Sequence, residues 1–244
     1  GYKNDVLSFV NVCKTWNVPC YIERSRSGTG AHVWIFFDTP ITAFKARKLG
    51  NAILTEAMNS DVHLSFKSYD RFFPNQDTLP EGGLGNLVAL PLQGMARRKG
   101  NSVFVDEDFN AYADQWELLS QIRKLSEVEL DMLLRLHIVP TLGELSKTSE
   151  AKPWETPQMD MMQTDCYPKE IVLTRANMLY IPLASLSAKC VNVFKRIAAF
   201  RNPEFYEKQG MRLSTYNIPR IISCSEITDD YLVLPRGCED AVRD

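Results

Sequence analysis

Two glycines one residue apart, Gly28 and Gly30, sit beside small hydroxyl residues, Ser27 and Thr29, inside the stretch Cys20 to Asp38. Glycine accepts the tight or left-handed backbone that such a turn needs. Successive N–H groups in a turn of this kind form a concave nest for an anion. Arg24 and Arg26 flank the turn, and His32 opens the segment after it. Guanidinium, hydroxyl and imidazole groups around a backbone nest are the natural donor set for phosphate. The plain alternative is a sheet-edge loop with solvated arginines and a histidine packed on a neighbour.

Two other stretches carry chemistry. Ser68 to Asp77, SYDRFFPNQD, places Asp70, Arg71, Asn75, Gln76 and Asp77 among aromatics. Arg97, Arg98 and Lys99 make a basic turn just before Gly100. Such a turn suits a nucleic-acid backbone.

These residues need elements to hold them. Val6, Phe9, Val10 and Cys13 have helical spacing, so Asp5 to Trp16 is predicted helical. Cys20–Glu23 and His32–Phe37 are predicted strands of a hairpin, with a polar loop between them. Ala43 to about Met58 is a helix with Thr42 as its N-cap. Val62–Phe66 alternates apolar and polar residues, and Leu87–Leu92 is largely apolar. Both are expected strands, as is Ser102–Val105. Asp114 starts a helix whose apolar side carries Trp116, Leu118, Leu119 and Ile122. Ser126 with Glu129 reads as a capping box, and the helix behind it carries Leu130, Leu133, Leu134 and Leu136. Further on, Ser187 to Phe200 is helical, and Pro203 suits the first turn of a short helix. Arg220–Cys224 and Tyr231–Leu234 are expected to form a hairpin. The order of elements predicts an α+β fold with a mainly antiparallel sheet and flanking helices, plus a small C-terminal α+β appendage. The expected division is a core over 1–145, a linker over 146–168 and a C-terminal segment over 169–244.

Composition bounds the function. The chain has 244 residues, 45% of them hydrophobic, which suffices for a substantial core. Lys+Arg 28 against Asp+Glu 30 gives a net charge of −2, so any nucleic-acid surface must be local. The six cysteines form no CxxC pair and there are only three histidines, which argues against a structural zinc site. Reduced thiols in an intracellular protein are expected. No apolar run reaches membrane-spanning length, so no membrane partner is expected.

At SGTGAHVW the sequence resembles the Ser-x-His hairpin motif of the archaeo-eukaryotic primase superfamily. The wider set IERSRSGTGAHVWIFF, SYDRFFPNQD, GNLVALPLQ and DQW is similar to the primase domain of TOTE conflict systems. In those large bacterial proteins the primase precedes a superfamily II helicase. AFRNPEFYEKQGMRL and LPRGC resemble the segment between the two, so the resemblance covers nearly the whole chain. It implies nucleotidyl transfer from a nucleoside triphosphate to a nucleic acid 3′-hydroxyl or an initiating nucleotide, assisted by Mg²⁺ or Mn²⁺. It implies that His32 with Ser27, Gly28 and Gly30 holds phosphates, helped by Arg24, Arg26 and Arg71, and that Asp70 binds metal in the same pocket. Arg97, Arg98 and Lys99 would follow single-stranded or primed nucleic acid, and a helicase domain is implied in the parent chain. The resemblance places the superfamily's Asp-x-Asp pair just upstream of the first helix, before residue 1, so weak or no activity is expected of this chain alone. The other readings are a non-catalytic module that binds nucleotide or single-stranded nucleic acid, and a helicase-docking domain.

Overall fold

The computed structural model describes residues 1–64, 72–74, 88–137, 167–211, 213, 215 and 218–243. Chain contacts divide it into two units. The first joins Gly1–Ala57 to Phe72–Val139, and the second joins Met58–Arg71 to Pro140–Asp244.

In the first unit, α1 spans Tyr2–Thr15 and buries Val10, Val12 and Cys13. Asn17, at φ +56, turns the chain out of it. Strands β1 (Tyr21–Arg24) and β2 (Ala31–Trp34) follow as an antiparallel hairpin. Helix α2 runs over Ala43–Ser60, with the Lys45 N–H directed at the Thr42 hydroxyl at 3.5 Å. A single helical turn, α3 (Gly94–Arg97), leads to β3 (Phe104–Val105), which pairs antiparallel with β1. The sheet order is β2-β1-β3, so β1 is central. One face packs Ile22, Val103 and Val105 against Val10 and Phe109, with Val6, Leu7 and Val33 around them. Helices α4 (Gln115–Ser120) and α5 (Glu127–Leu136) complete the unit. Asp114 caps α4 through Trp116 and Glu117 N–H groups, and Ser126 with Glu129 forms the full capping box on α5.

In the second unit, β4 (Thr174–Arg175), β5 (Leu179–Pro182), β8 (Glu226–Ile227) and β9 (Tyr231–Leu234) form an antiparallel sheet of order β4-β5-β9-β8. Helix α6 (Ala188–Ile197), capped by Ser187, lays Cys190, Val191 and Phe194 on Leu179, Ile181, Leu232 and Leu234. β6 (Ala199–Arg201) pairs with β7 (Ile221–Ser223), and α7 (Pro203–Gly210) starts on Pro203 behind the Asn202 cap. A last short helix, α8, covers Glu239–Arg243. The fold is α+β with antiparallel ladders throughout its described sheets.

Several expectations need correction. Val62 and His63 form a turn, not a strand start. The Asp61 side chain accepts from the His63 N–H at 2.9 Å, an Asx turn that competes with extension. Residues 65–71 lie outside the described set. Val88 to Leu92 join no ladder. Pro91 lacks an N–H and Leu92 sits at φ +63, so the run cannot continue as a strand. Trp116 and Leu136 are exposed rather than core. β9 hairpins with β8, not with Ile221–Ser223, because Thr228 closes a tight turn onto Tyr231 through its N–H and hydroxyl. Of the proposed 146–168 linker, only residues 167 and 168 are among those described.

Candidate functional site

The hairpin turn lies over Ser25–Gly30. Ser25 N–H donates to the Gly30 carbonyl at 2.9 Å, and Gly28 N–H to the Ser25 carbonyl at 3.0 Å. Gly28 has φ +82, the left-handed region that glycine enters without a Cβ penalty. The Ser27 hydroxyl lies 3.1 Å from that of Ser25 and 2.8 Å from that of Thr29. The turn is therefore a small hydroxyl-lined loop, and Arg26, Ser27 and Thr29 are exposed on it.

The basic turn after α3 is docked onto this loop. Asn101 Nδ2 donates to the Arg26 carbonyl at 3.3 Å. Arg24 reaches the other way, donating to the Gly100 carbonyl at 2.7 Å and the Phe109 carbonyl at 2.5 Å. Its guanidinium braces the two loops by donating to partly buried carbonyl oxygens. Two sequence-predicted groups far apart in the chain thus meet at one edge. Arg26, Arg97, Arg98 and Lys99 are all exposed there. None of the four pairs with a carboxylate among the described residues.

His32 stands on β2 directly across from Glu23 on β1, and Glu23 pairs on its other side with Phe104. Directly opposed residues project on the same face of the sheet. Glu23 is 2% exposed. A buried carboxylate is costly unless its oxygens are filled by donors. Three donors fill these: His32 Nδ1 lies 3.0 Å from Oε2, Trp34 Nε1 donates to Oε2 at 2.7 Å, and Ser102 Oγ donates to Oε1 at 3.0 Å. Gln93 N–H donates to Ser102 Oγ at 3.3 Å and extends the chain of bonds. The His32 side chain itself is half exposed, at 51%. Trp34 stacks near Phe36 with ring centroids 6.0 Å apart and an interplanar angle of 14°.

Sequence reasoning missed Glu23, placing it only as the last residue of a strand. The usable signal was register: a short turn that pairs Arg24 with Ala31 must also pair Glu23 with His32. Asp70 and Arg71 lie outside the described residues. Among the described residues no three His, Cys, Asp or Glu side chains are grouped to hold a metal ion. They do not by themselves make a divalent-metal cage. No described helix is long and apolar enough to cross a membrane. In the second unit, the Arg201 guanidinium lies 3.9 Å from the Tyr206 ring centroid, and Arg220 Nε donates to the Tyr206 hydroxyl at 3.0 Å.

These elements make an α+β domain whose β1–β2 hairpin and basic turn share one edge. Residues 1–133 match the family described as TOTE conflict system, Archaeo-Eukaryotic Primase domain, and the chain belongs to that family. At the family level this means primase-type nucleotidyl transfer on nucleotides and nucleic acid, in a superfamily that uses divalent metal. No curated protein matches the chain.

Proposed function

We propose that this protein is a primase-polymerase domain that binds a nucleoside triphosphate at the Ser25–Gly30 hairpin and nucleic acid at the adjoining basic turn. What supports the reading is that the hairpin and the basic turn are tied edge to edge by Asn101 and Arg24. In this proposal His32, the Ser27 hydroxyl and the backbone of Gly28 and Gly30 hold the β and γ phosphates. Arg26 adds charge, and Arg24 keeps the nest in shape from behind. Arg97, Arg98 and Lys99 contact the backbone of single-stranded or primed nucleic acid. Asp70 as a ligand of Mg²⁺ or Mn²⁺, Arg71 as a triphosphate contact, and a helicase domain in the parent chain belong to the proposal and not to the described geometry.

Titration of labelled triphosphate into the protein and into His32→Ala tests the binding half. Loss of a hydrogen bond to a charged phosphate should weaken binding by roughly 1.5–3 kcal/mol. Equal affinity would remove the hairpin from the site. Extension of a primed template, with and without Mn²⁺, tests the chemical half. Triphosphate binding with no extension under any metal would favour a binding module over a transferase.

A further inference from the structure

The carboxylate under His32 has no role in the reading above, and its environment is too specific for a spare charge. As a carboxylate, Glu23 can only accept hydrogen bonds. Its contact at 3.0 Å with His32 Nδ1 therefore requires a proton on Nδ1. That fixes the ring's tautomer and its rotation together, as carboxylate partners of functional histidines do. Nε2 is left as the outward nitrogen, on a side chain that is half exposed. The same Oε2 also receives the Trp34 indole N–H, and Ser102 holds Oε1, so the carboxylate itself cannot swing.

We infer that Glu23 is a positioning residue, one that aims His32 Nε2 at the phosphate oxygens of a bound triphosphate. This rests on the assignment of His32 to phosphate binding. Protonated, the ring offers one N–H inward to Glu23 and a second outward to the ligand, and the charge pair is closed by the carboxylate. Without Glu23, the ring rotates freely and the outward donor is no longer preset, so each binding event must also order it. Ser102, on the far side of the carboxylate, holds Glu23 rather than the ligand.

The experiment is ¹⁵N NMR of histidine-labelled protein combined with triphosphate titration. The His32 signal, assigned by its loss in His32→Ala, should show a proton on Nδ1, and protons on both ring nitrogens once triphosphate is bound. Glu23→Ala should convert it to a mixture of tautomers and lower triphosphate affinity about tenfold. Glu23→Gln keeps a carbonyl acceptor for Nδ1–H and a donor for Ser102, so it should restore the Nδ1–H signature and most of the affinity. Trp34→Phe deletes the other bond to Oε2 and should leave the signature in place. A wild-type ring protonated on Nε2 alone, or a signature unmoved by Glu23→Ala, would overturn the inference. If Glu23→Ala does not fold, the wild-type tautomer and the Glu23→Gln result still decide it. If His32→Ala binds triphosphate as wild type does while the tautomer follows Glu23, the phosphate reading fails and the positioning of the ring stands.

Discussion

Alanine at Gly28 and alanine at Gly30 should have opposite consequences, although the sequence presents the two glycines alike. Gly28 has φ +82, and a Cβ there would lie 2.8 Å from Asn101 Oδ1 and 2.9 Å from Asn101 Nδ2. Placing an L-residue in the left-handed region costs about 1–2 kcal/mol. The Asn101 amide must also move, giving up its 3.3 Å bond to the Arg26 carbonyl. That bond is long and exposed, so its loss adds about 0.5 kcal/mol. Reduced freedom of the unfolded chain returns about 0.4–1 kcal/mol. The net expectation for Gly28→Ala is a loss of about 0.5–2 kcal/mol. A Cβ at Gly30 meets only Ser25 Oγ at 3.7 Å, an ordinary contact, and the backbone there is not left-handed. Gly30→Ala should therefore be neutral, or stabilising by up to about 1 kcal/mol. Urea unfolding by tryptophan fluorescence gives the global value, and amide exchange over residues 21–34 gives the local one. In an Asn101→Ala background the cost of Gly28→Ala should shrink but persist, since only the clash is removed. Equal stability of Gly28→Ala and wild type, or an equal cost at both glycines, would refute the reasoning.

Three further outcomes follow from other parts of the chain. Lys195 donates to the Val62 and Leu64 carbonyls, and burial pushes its amine down to about 8. An unfolded lysine stays protonated to roughly 10.4, so between those values the unfolded state binds more protons and native stability rises with pH. The rise amounts to about 3 kcal/mol at most. Lys195→Met should abolish that slope in unfolding curves between pH 8 and 10; an unchanged slope would place its source elsewhere. The Cys20 thiol is lowered chiefly by a hydrogen bond from Cys13, whereas Cys13 is raised by the same bond and by burial. Iodoacetamide should therefore modify Cys20 before Cys13, and Cys13→Ala should slow alkylation at Cys20, as read by peptide mass spectrometry. Ser126→Ala removes one half of the α5 capping box and should cost about 1 kcal/mol near neutral pH. Hydrogen bonds from Ser126, with Arg123 beside them, hold the Glu129 carboxyl below its ordinary value. That stabilisation is present above the ordinary carboxylate range and is lost as pH falls through the lowered value. The difference between wild type and Ser126→Ala should narrow on acidification, and a constant difference would argue against the box.

Local sequence determined what local physics can decide. The 3.6-residue apolar spacing set α1, α2 and α6, because a helix closes its own hydrogen bonds within four residues. Ser126 with Glu129 marked the start of α5 for the same reason, as did Pro203 for α7. The β1–β2 hairpin was legible from its paired glycines and the β-favouring residues on either side. Tertiary structure decided which of these groups meet. Arg24 reads as a ligand contact in the sequence, yet its guanidinium reaches carbonyls at Gly100 and Phe109 that no local pattern announces. Val88 to Leu92 looks like a strand, but a left-handed Leu92 after Pro91 breaks it, and no partner edge is supplied among the described residues. Above all, Glu23 gains its hydrogen-bond donors only when β1 pairs with β2 and the approach to β3 brings Ser102 against it. Those partners lie 9 and 79 positions away in the chain, and only a fixed register can set donors on a carboxylate from such separations.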